Sequence, residues 1–508
     1  MPDQSRRIWA ARRAAATMTA AALIAGTLTP APTASASSPT SHGPIRLPVV
    51  LLAAIDEAPT TLGIADSNLY TLSEADLNKT LDALQSLGVK DVRIAVPWIF
   101  LQPNSSGSYD WSKLDMVVNA AAERDMGVLG VISATPAWAG FPLNGHPNPA
   151  TYAAFASAVA TRYQGKISAY EIWNEPNGVT FWSPVSAKAY TELLKAAYPA
   201  IKAADPNATV IGGVLGAVGN IPGVSTSAVT FVTQMYADGA HGFFDALSFH
   251  PYHYVTPFSK GTEPGEPIEQ VAAIRALMAA NGDAALKLWA TEYGLPTSAV
   301  SQAQQAAYIH DFVVAWQQVS GAGPMFIYTT RDTATGAFDD EANFGIFKTN
   351  WTPKLAADTV RALIADLADG TAEPFDVTPY MPANPFLQAV QVFIRQLINQ
   401  ALVVPKFVVQ LVSSAINAVV KTIAGALGLP AAARTANAVA TARSAPARTV
   451  DAPTPRRAVA TSKRQPVATT PTVSAPGSQR RATAAHQRSQ RTPAGANGGQ
   501  SSTGHSAR

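Results

Sequence analysis

The chain has 508 residues and no cysteine, which excludes disulfides, thiolate metal ligands and a cysteine nucleophile. Its net charge of +3 is unevenly distributed, because residues 431–508 hold twelve Lys or Arg and one acid, and residues 1–36 hold four Arg and one Asp. Residues 37–430 therefore carry a net charge of −11, which excludes a basic nucleic-acid-binding fold.

The N-terminus has the pattern of a secretory signal peptide. Four arginines between residues 6 and 13 precede an apolar run at 14–28, and Ala34-Ser35-Ala36 provides a small-residue cleavage pattern. We therefore expect residues 1–36 to be removed on export, which predicts a secreted or cell-envelope-associated protein. A retained N-terminal anchor is the alternative. Residues 37–59 are interpreted as a linker.

From residue 60 onward, short apolar strands alternate with helical segments, which is the order of parallel βαβ units. The predicted strands are 61–65, 89–96, 127–133, 169–173, 209–213, 244–250, 286–291 and 325–329. The predicted helices are 73–87, 111–124, 149–163, 186–204, 227–238, 267–280, 301–319 and 353–367. Several of these helices begin with Ser or Pro, which suit a helix N-terminus.

The strand ends are separated by 27, 40, 41, 39, 37, 42 and 36 residues when they are taken at Asp66, Arg93, Ser133, Asn174, Gly213, His250, Glu292 and Tyr328. Such a near-constant repeat of one strand and one helix predicts an α/β protein with a (β/α)8 TIM barrel at residues 60–368. An open doubly wound sheet is the alternative. That alternative is weakened because no Gly-x-Gly-x-x-Gly follows the first strand.

Beyond the barrel, a linker at 369–385 is followed by an apolar segment at 386–430. Its helical spacing predicts two amphipathic helices that are separated at Pro405. These helices are expected to pack on the flank or bottom of the barrel, the alternative being an interface with lipid or a partner protein. Residues 431–508 have too few apolar side chains for a core and are predicted to be a disordered basic tail that binds an anionic envelope surface.

Active-site residues of such barrels lie at the C-terminal ends of the strands. Glu175 follows the fourth strand in the motif Trp-Asn-Glu-Pro-Asn at 173–177, and Glu292 ends the seventh strand in Thr-Glu-Tyr-Gly at 291–294. Their separation of 117 residues is three repeats, so they are expected to face each other across the barrel mouth. Glycoside hydrolysis needs such a pair, because one carboxyl protonates the leaving oxygen and the other attacks or stabilises the sugar cation.

The two motifs resemble the catalytic motifs of clan A glycoside hydrolases, with families 39 and 5 the most similar. The resemblance covers residues 60–368. It implies a retaining glycoside hydrolase that acts on a polysaccharide or oligosaccharide without a metal or organic cofactor. In the resemblance, Glu175 is the general acid/base and Glu292 is the nucleophile.

The same resemblance assigns roles to six further side chains at the barrel mouth. Arg93 would hydrogen-bond the nucleophile, and Asn174 would hold the 2-hydroxyl of the substrate. His250 and Tyr252 would line the site, and Trp138 and Tyr328 would offer aromatic faces to a sugar ring. Three of these assignments have a structural alternative, namely a structural ion pair for Arg93, a wall position for His250 and packing under a loop for Trp138.

One local geometric requirement accompanies these assignments. Strict strand alternation sends Asn174 and Glu175 to opposite faces, so the fourth strand must end or bulge before Pro176 if both residues are to reach the site. Glu171 is a competing carboxylate, but its deeper position on the strand favours an interior layer residue.

The sequence is also compatible with two functions from other classes. One is a catalytically silent barrel that binds glycan, and the other is an envelope interaction protein in which the tail carries the function.

Overall fold

The structure, a computed structural model, describes residues 54–105, 107–140 and 144–403. The predicted signal peptide at 1–36, most of the linker at 37–59, the second half of the 386–430 segment and the tail at 431–508 lie outside these residues.

Eight parallel strands form a closed barrel in which each strand pairs with its neighbours in chain order and β1 pairs with β8. The predicted (β/α)8 barrel is therefore confirmed, and the open doubly wound sheet is excluded. The strands are Leu62–Ala65 (β1), Asp91–Pro97 (β2), Gly127–Ser133 (β3), Ala169–Ile172 (β4), Thr209–Gly216 (β5), Ala246–His250 (β6), Lys287–Tyr293 (β7) and Ala322–Tyr328 (β8).

Helices follow the strands around the barrel. Several of them begin where a side chain caps the first turn: Ser73, Ser186, Ser227 and Ser301 each accept a hydrogen bond from a backbone N–H. The helices are Glu74–Ser86 (α1), Trp98–Leu101 (α2), Ser112–Ala122 (α3), Pro149–Arg162 (α4), Ala187–Ala204 (α5), Ala228–Ala237 (α6), Pro267–Ala280 (α7), Gln302–Trp316 (α8), Leu355–Asp369 (α9) and Pro385–Val403 (α10).

The barrel interior changes from apolar to polar towards the C-terminal ends of the strands. One buried cluster is formed by inward-facing apolar residues from seven of the strands, together with Ile55: Ala65, Leu129, Ala169, Ile211, Ala246, Trp289 and Phe326. Because side chains two residues apart share a face, Glu171, Ser248 and Thr291 point inward above Ala169, Ala246 and Trp289. The polar layer is thereby fixed next to the mouth that carries the candidate site.

Helix α10 contacts the loop between β8 and α9. Arg395 donates to Asp340 at 2.8 Å and to the carbonyl oxygen of Phe338 at 2.6 Å. Phe386 and Leu387, two apolar residues in the first turn of this helix, are exposed. A charged contact thus connects this helix to the barrel loop. Within the residues described, no helix combines the length and apolarity needed to cross a membrane.

Candidate active site

Glu175 and Glu292 lie at the same barrel mouth. Three atoms at this mouth all lie within 4.8 Å of one another: one carboxylate oxygen of Glu175, one of Glu292 and one ring nitrogen of His250. Both carboxyl groups are shielded but reachable, with side-chain exposures of 8% for Glu175 and 13% for Glu292. The same three side chains could hold a metal ion, but hydrolysis by two carboxyl groups requires none.

Irregular backbone brings these glutamates into the site. Strand β4 ends at Ile172, before Pro176, and the next residues include left-handed Trp173 (φ 70°) and Glu175 (φ 43°). Each such conformation costs about 1–3 kcal/mol in a residue other than glycine, and strain of this kind clusters at functional sites. Asn174 and Glu175 therefore both face the site, as the sequence required.

Glu292 also lies beside a break in strand register. The pairing of β7 with β8 shifts between Ala290 and Tyr293, and Gly294 allows the chain to pass close to β8. A Cβ atom at Gly294 would be 2.2 Å from the carbonyl oxygen of Tyr328. Side chains of adjacent residues in a regular strand point to opposite faces, but Thr291 and Glu292 both make contacts at the mouth. The register shift lies where this alternation is broken.

Arg93 is the charged centre of the site. It is 2% exposed and donates to Glu171 at 2.6 Å, to Glu292 at 2.5 Å and to Asn174 Oδ1 at 2.8 Å. Burial alone would lower the pKa of Arg93, but the charges of Glu171 and Glu292 outweigh burial and raise that pKa. The guanidinium remains charged and is shared by the candidate nucleophile and Glu171. The structural ion pair considered as an alternative for Arg93 is therefore present together with the contact to Glu292.

His250 and Tyr252 contact the two glutamates. The Nδ1 atom of His250 lies 2.8 Å from Glu175 Oε1, and the Tyr252 hydroxyl donates to Glu292 Oε2 at 2.8 Å. The other ring nitrogen of His250, Nε2, lies 3.0 Å from the hydroxyl of Thr291. The histidine is fully buried, so its position is fixed by these contacts rather than by solvent.

The two aromatic residues predicted to stack on sugar are differently placed. Trp138 donates to the carbonyl oxygen of Gln102 and packs edge-on against Trp98, and none of its described contacts joins it to either glutamate. Tyr328 lies at the end of β8, where its ring meets Tyr252 edge-on and its hydroxyl donates to Glu341 at 3.0 Å.

Glu341 is a third carboxyl group near the mouth that sequence reasoning missed. Burial raises the pKa of Glu341, the hydrogen bond from Tyr328 opposes that rise, and the negative charge of Glu292 adds to it. Burial, followed by the charges of Glu341 and Glu292, raises the pKa of Tyr328, so its hydroxyl remains a donor. The only signal in the sequence was the acidic run Asp339–Glu341 in a long loop after the eighth strand.

Asn177, the last residue of the Trp-Asn-Glu-Pro-Asn motif, has a structural role. Its side-chain nitrogen donates to the carbonyl oxygens of Gly216 and Thr226, and its oxygen accepts from the Gly216 N–H. These bonds tie the loop that carries Glu175 to the end of β5. The motif therefore contains both the candidate catalytic residue, Glu175, and a residue that holds its loop in place, Asn177.

Replacing Arg93 should destabilise the fold as well as the site. We expect Arg93→Met to lower the free energy of unfolding by about 3–5 kcal/mol, because Glu171 would be left buried without its cation. The measurement is urea-induced unfolding at neutral pH. Arg361→Met is the control, because Arg361 pairs with Asp358 at the surface and is 51% exposed. Equal unfolding midpoints for the two variants would contradict the prediction.

The similarity to glycoside hydrolases is not confined to the two glutamate motifs but extends over much of the chain. The family model described as cellulase, glycosyl hydrolase family 5, matches residues 55–321, which is just over half of the chain. The β-xylosidase of Geobacillus stearothermophilus is 30% identical over 154 residues, which cover 28% of this chain and 29% of that protein. Endoglucanase CelA of Streptomyces lividans is 50% identical over 62 residues, 12% of each chain.

A solved structure agrees on the fold. The family 39 glycoside hydrolase of Bacteroides cellulosilyticus WH2 superposes with a TM-score of 0.51 at 21% identity, covering 62% of this chain and 65% of that one. The chain thus matches less than a third of the length of the curated relatives and about two thirds of this structure. The extent of the family match, together with the barrel, shows that the chain belongs to the cellulase family, glycosyl hydrolase family 5.

Proposed function

We propose that this chain is a retaining glycoside hydrolase in which Glu292 attacks the anomeric carbon and Glu175 protonates the departing oxygen. The observation that carries the proposal is the 4.8 Å limit on the distance between one oxygen of each carboxyl group. Retaining enzymes hold these groups about 5–5.5 Å apart, whereas inverting enzymes leave about 6.5–9.5 Å for a water molecule. The short separation supports direct attack by a carboxylate.

The contacts of Glu292 suit a nucleophile. Arg93 and Tyr252 each donate to a different oxygen of this carboxylate, which fixes its orientation and leaves it placed for attack. When the glycosyl ester forms, the negative charge on Glu292 disappears. Glu175, having given its proton to the leaving group, then accepts a proton from water, and the resulting hydroxide releases the sugar from Glu292.

Asn174 is oriented for a contact with the substrate. Its Oδ1 atom accepts from Arg93, so the amide nitrogen is the end that can donate to a sugar hydroxyl. A bond to the 2-hydroxyl gains strength as positive charge develops on the sugar, and it therefore favours the transition state over the bound substrate.

The test is the stereochemistry of the first product. A β-linked oligosaccharide is incubated with the enzyme in an NMR tube, and the anomeric protons of the new reducing end are followed before mutarotation. We expect the β-anomer first. First appearance of the α-anomer would indicate inversion, and binding without hydrolysis of any substrate would leave a silent glycan-binding barrel.

The substrate is proposed to be a β-linked polysaccharide or oligosaccharide. Two curated relatives are named a β-xylosidase and an endoglucanase, so fragments of xylan and of β-glucan are the first to test. Screening these together with isolated cell-envelope polysaccharides, with product mass as the readout, distinguishes endo from exo cleavage.

We also propose that the protein is exported and that its basic tail tethers it to an anionic envelope surface. The support is the signal-peptide pattern at 1–36 and the charge of +11 at 431–508, opposite in sign to the body. Many weak contacts along a long basic segment would act together at a dense polyanionic layer.

A salt series tests the tether. Full-length protein should bind isolated envelope at low salt and be released towards 1 M salt, where the Debye length falls to ~3 Å. A chain truncated after Pro430 should bind weakly throughout while keeping its hydrolytic activity. Equal and salt-independent binding by both proteins would exclude the tail as the tether.

A further inference from the structure

A chain of buried hydrogen bonds leads from the charged centre of the site to the candidate acid. Ser248 Oγ lies 2.8 Å from Glu171 Oε1, and Thr291 Oγ1 lies 3.1 Å from Ser248 Oγ. His250 Nε2 lies 3.0 Å from Thr291 Oγ1, and His250 Nδ1 lies 2.8 Å from Glu175 Oε1. We call Glu171, Ser248 and Thr291 the relay; all three are at most 1% exposed.

The relay has one direction, because its inner end can only accept. Glu171 forms an ion pair with Arg93 at 2.6 Å, and its other oxygen accepts a hydrogen bond from the hydroxyl of Ser248. Ser248 has then used its only hydrogen. The hydroxyl of Thr291 must therefore donate to Ser248, since two oxygens 3.1 Å apart would otherwise present only lone pairs to each other.

This direction fixes the histidine. Thr291 has given its hydrogen to Ser248 and can only accept from His250, so Nε2 of His250 carries a hydrogen. In neutral His250 the other ring nitrogen, Nδ1, then has a lone pair that faces Glu175. A hydrogen bond at 2.8 Å between these two atoms needs one proton, and while the histidine is neutral that proton is on Glu175.

We propose that the relay holds His250 as its Nε2–H tautomer and thereby makes Glu175 keep a proton until the leaving group takes it; the inference rests on the proposed function. Loss of that proton from a neutral pair would set a nitrogen lone pair against a carboxylate. Without the relay, the histidine could take its Nδ1–H tautomer and donate to an ionised Glu175, which would favour the wrong state for an acid.

Other charged groups face the His250–Glu175 pair, and the substitutions at Ser248 and Thr291 described below leave these groups unchanged. Glu292 Oε2 lies 3.7 Å from His250 Nδ1, and its negative charge also favours a proton on the pair. Arg93 offsets that charge and binds Glu171, while Tyr252 donates to Glu292. Ser248 and Thr291 act through His250 and are positioning residues.

The variants remove one hydroxyl at a time. Thr291→Val deletes the acceptor for Nε2–H, and Ser248→Ala frees the Thr291 hydroxyl to donate to His250. In both we expect the basic limb of the kcat/KM profile to move about one unit to lower pH, that is, an approximately tenfold loss on that limb. Thr291→Ser keeps the hydroxyl and should keep the wild-type profile. Thr191→Val, at a buried threonine on α5, controls for the loss of a buried hydroxyl in general.

A second readout does not depend on activity. Nitrogen NMR of histidine-labelled protein distinguishes a protonated ring nitrogen from an unprotonated one, and His250→Gln identifies the signals. Wild-type His250 should show a hydrogen on Nε2, and Thr291→Val should show it on Nδ1. If no glycoside is hydrolysed, the proposed function fails while this spectrum still decides the tautomer.

Three results would overturn the inference. The first is a wild-type spectrum of His250 with a hydrogen on Nδ1, whether alone or together with one on Nε2, because either result would place the shared proton on the histidine rather than on Glu175. The second is a uniform loss of rate in Thr291→Val and Ser248→Ala with no shift of the basic limb, since that would indicate a purely structural role. The third is failure of Thr291→Ser to restore the profile in a protein with an unchanged melting temperature.

Discussion

Glu292→Gln is expected to lower kcat by at least about 10⁴-fold for every substrate, because no nucleophile remains to form the glycosyl ester. The loss should not depend on the leaving group, since even an activated glycoside needs an attacking carboxylate. The amide is nearly isosteric, and Tyr252 can still donate to its oxygen. Arg93 keeps its ion pair with Glu171, so the barrel should remain folded.

The measurement is steady-state hydrolysis of aryl glycosides and of a natural oligosaccharide, with circular dichroism to verify the fold. Glu269→Gln is the matched control, because it makes the same chemical change at an exposed position on α7. Turnover of any substrate at near wild-type rates by Glu292→Gln would assign the nucleophile to another group, with Glu341 the first to examine.

Periodicity was enough to predict the barrel and the position of its active end. Eight short apolar segments at a near-constant spacing leave few ways to pair parallel strands, and the C-terminal ends of those strands must converge at one mouth. The two glutamate motifs then predicted Glu175 and Glu292 at that mouth. The backbone conformation around Glu175 could not be predicted in detail. Strict alternation would send Asn174 and Glu175 to opposite faces, which showed that the strand must end or bulge there but not which of the two occurs.

Contacts made by loops could not be predicted in the same way. The hydrogen bond between Tyr328 and Glu341, and the ion pair between Arg395 and Asp340, join residues 13 and 55 positions apart through irregular chain. Loops have no hydrophobic periodicity from which to predict which side chain points towards the mouth. Tyr328 was therefore predicted only as an aromatic face for a sugar ring, whereas its hydroxyl also donates a hydrogen bond to the Glu341 carboxyl group.

The relay was within reach of sequence reasoning. Ser248 and Thr291 are polar residues at inward-facing positions of β6 and β7, and Glu171 lies in the same layer on β4. A buried polar group must be hydrogen-bonded, so three such residues at one height of the barrel predict a network. The level of each residue along the barrel axis depends on strand register, and the sequence alone did not give that register.

Glu175→Gln should separate substrates by their leaving groups. Proton donation by a positioned acid contributes about 10²–10⁴-fold to a rate, and that contribution is needed most when the leaving oxygen is strongly basic. For a natural oligosaccharide we therefore expect a loss near the upper end of that range. For an aryl glycoside with an acidic phenol, glycosyl transfer to Glu292 needs little protonation and should keep close to its wild-type rate.

The second step should then become limiting for activated substrates, because the amide that replaces the Glu175 carboxylate cannot deprotonate the incoming water. We expect a burst of phenol equal to the enzyme concentration, followed by slow turnover, and intact-protein mass spectrometry should show a glycosyl adduct on Glu292. A series of phenols of decreasing acidity should show a steeper fall in rate for the variant than for wild type. Parallel slopes for the two enzymes, with no burst, would mean that the leaving oxygen receives its proton from a group other than Glu175.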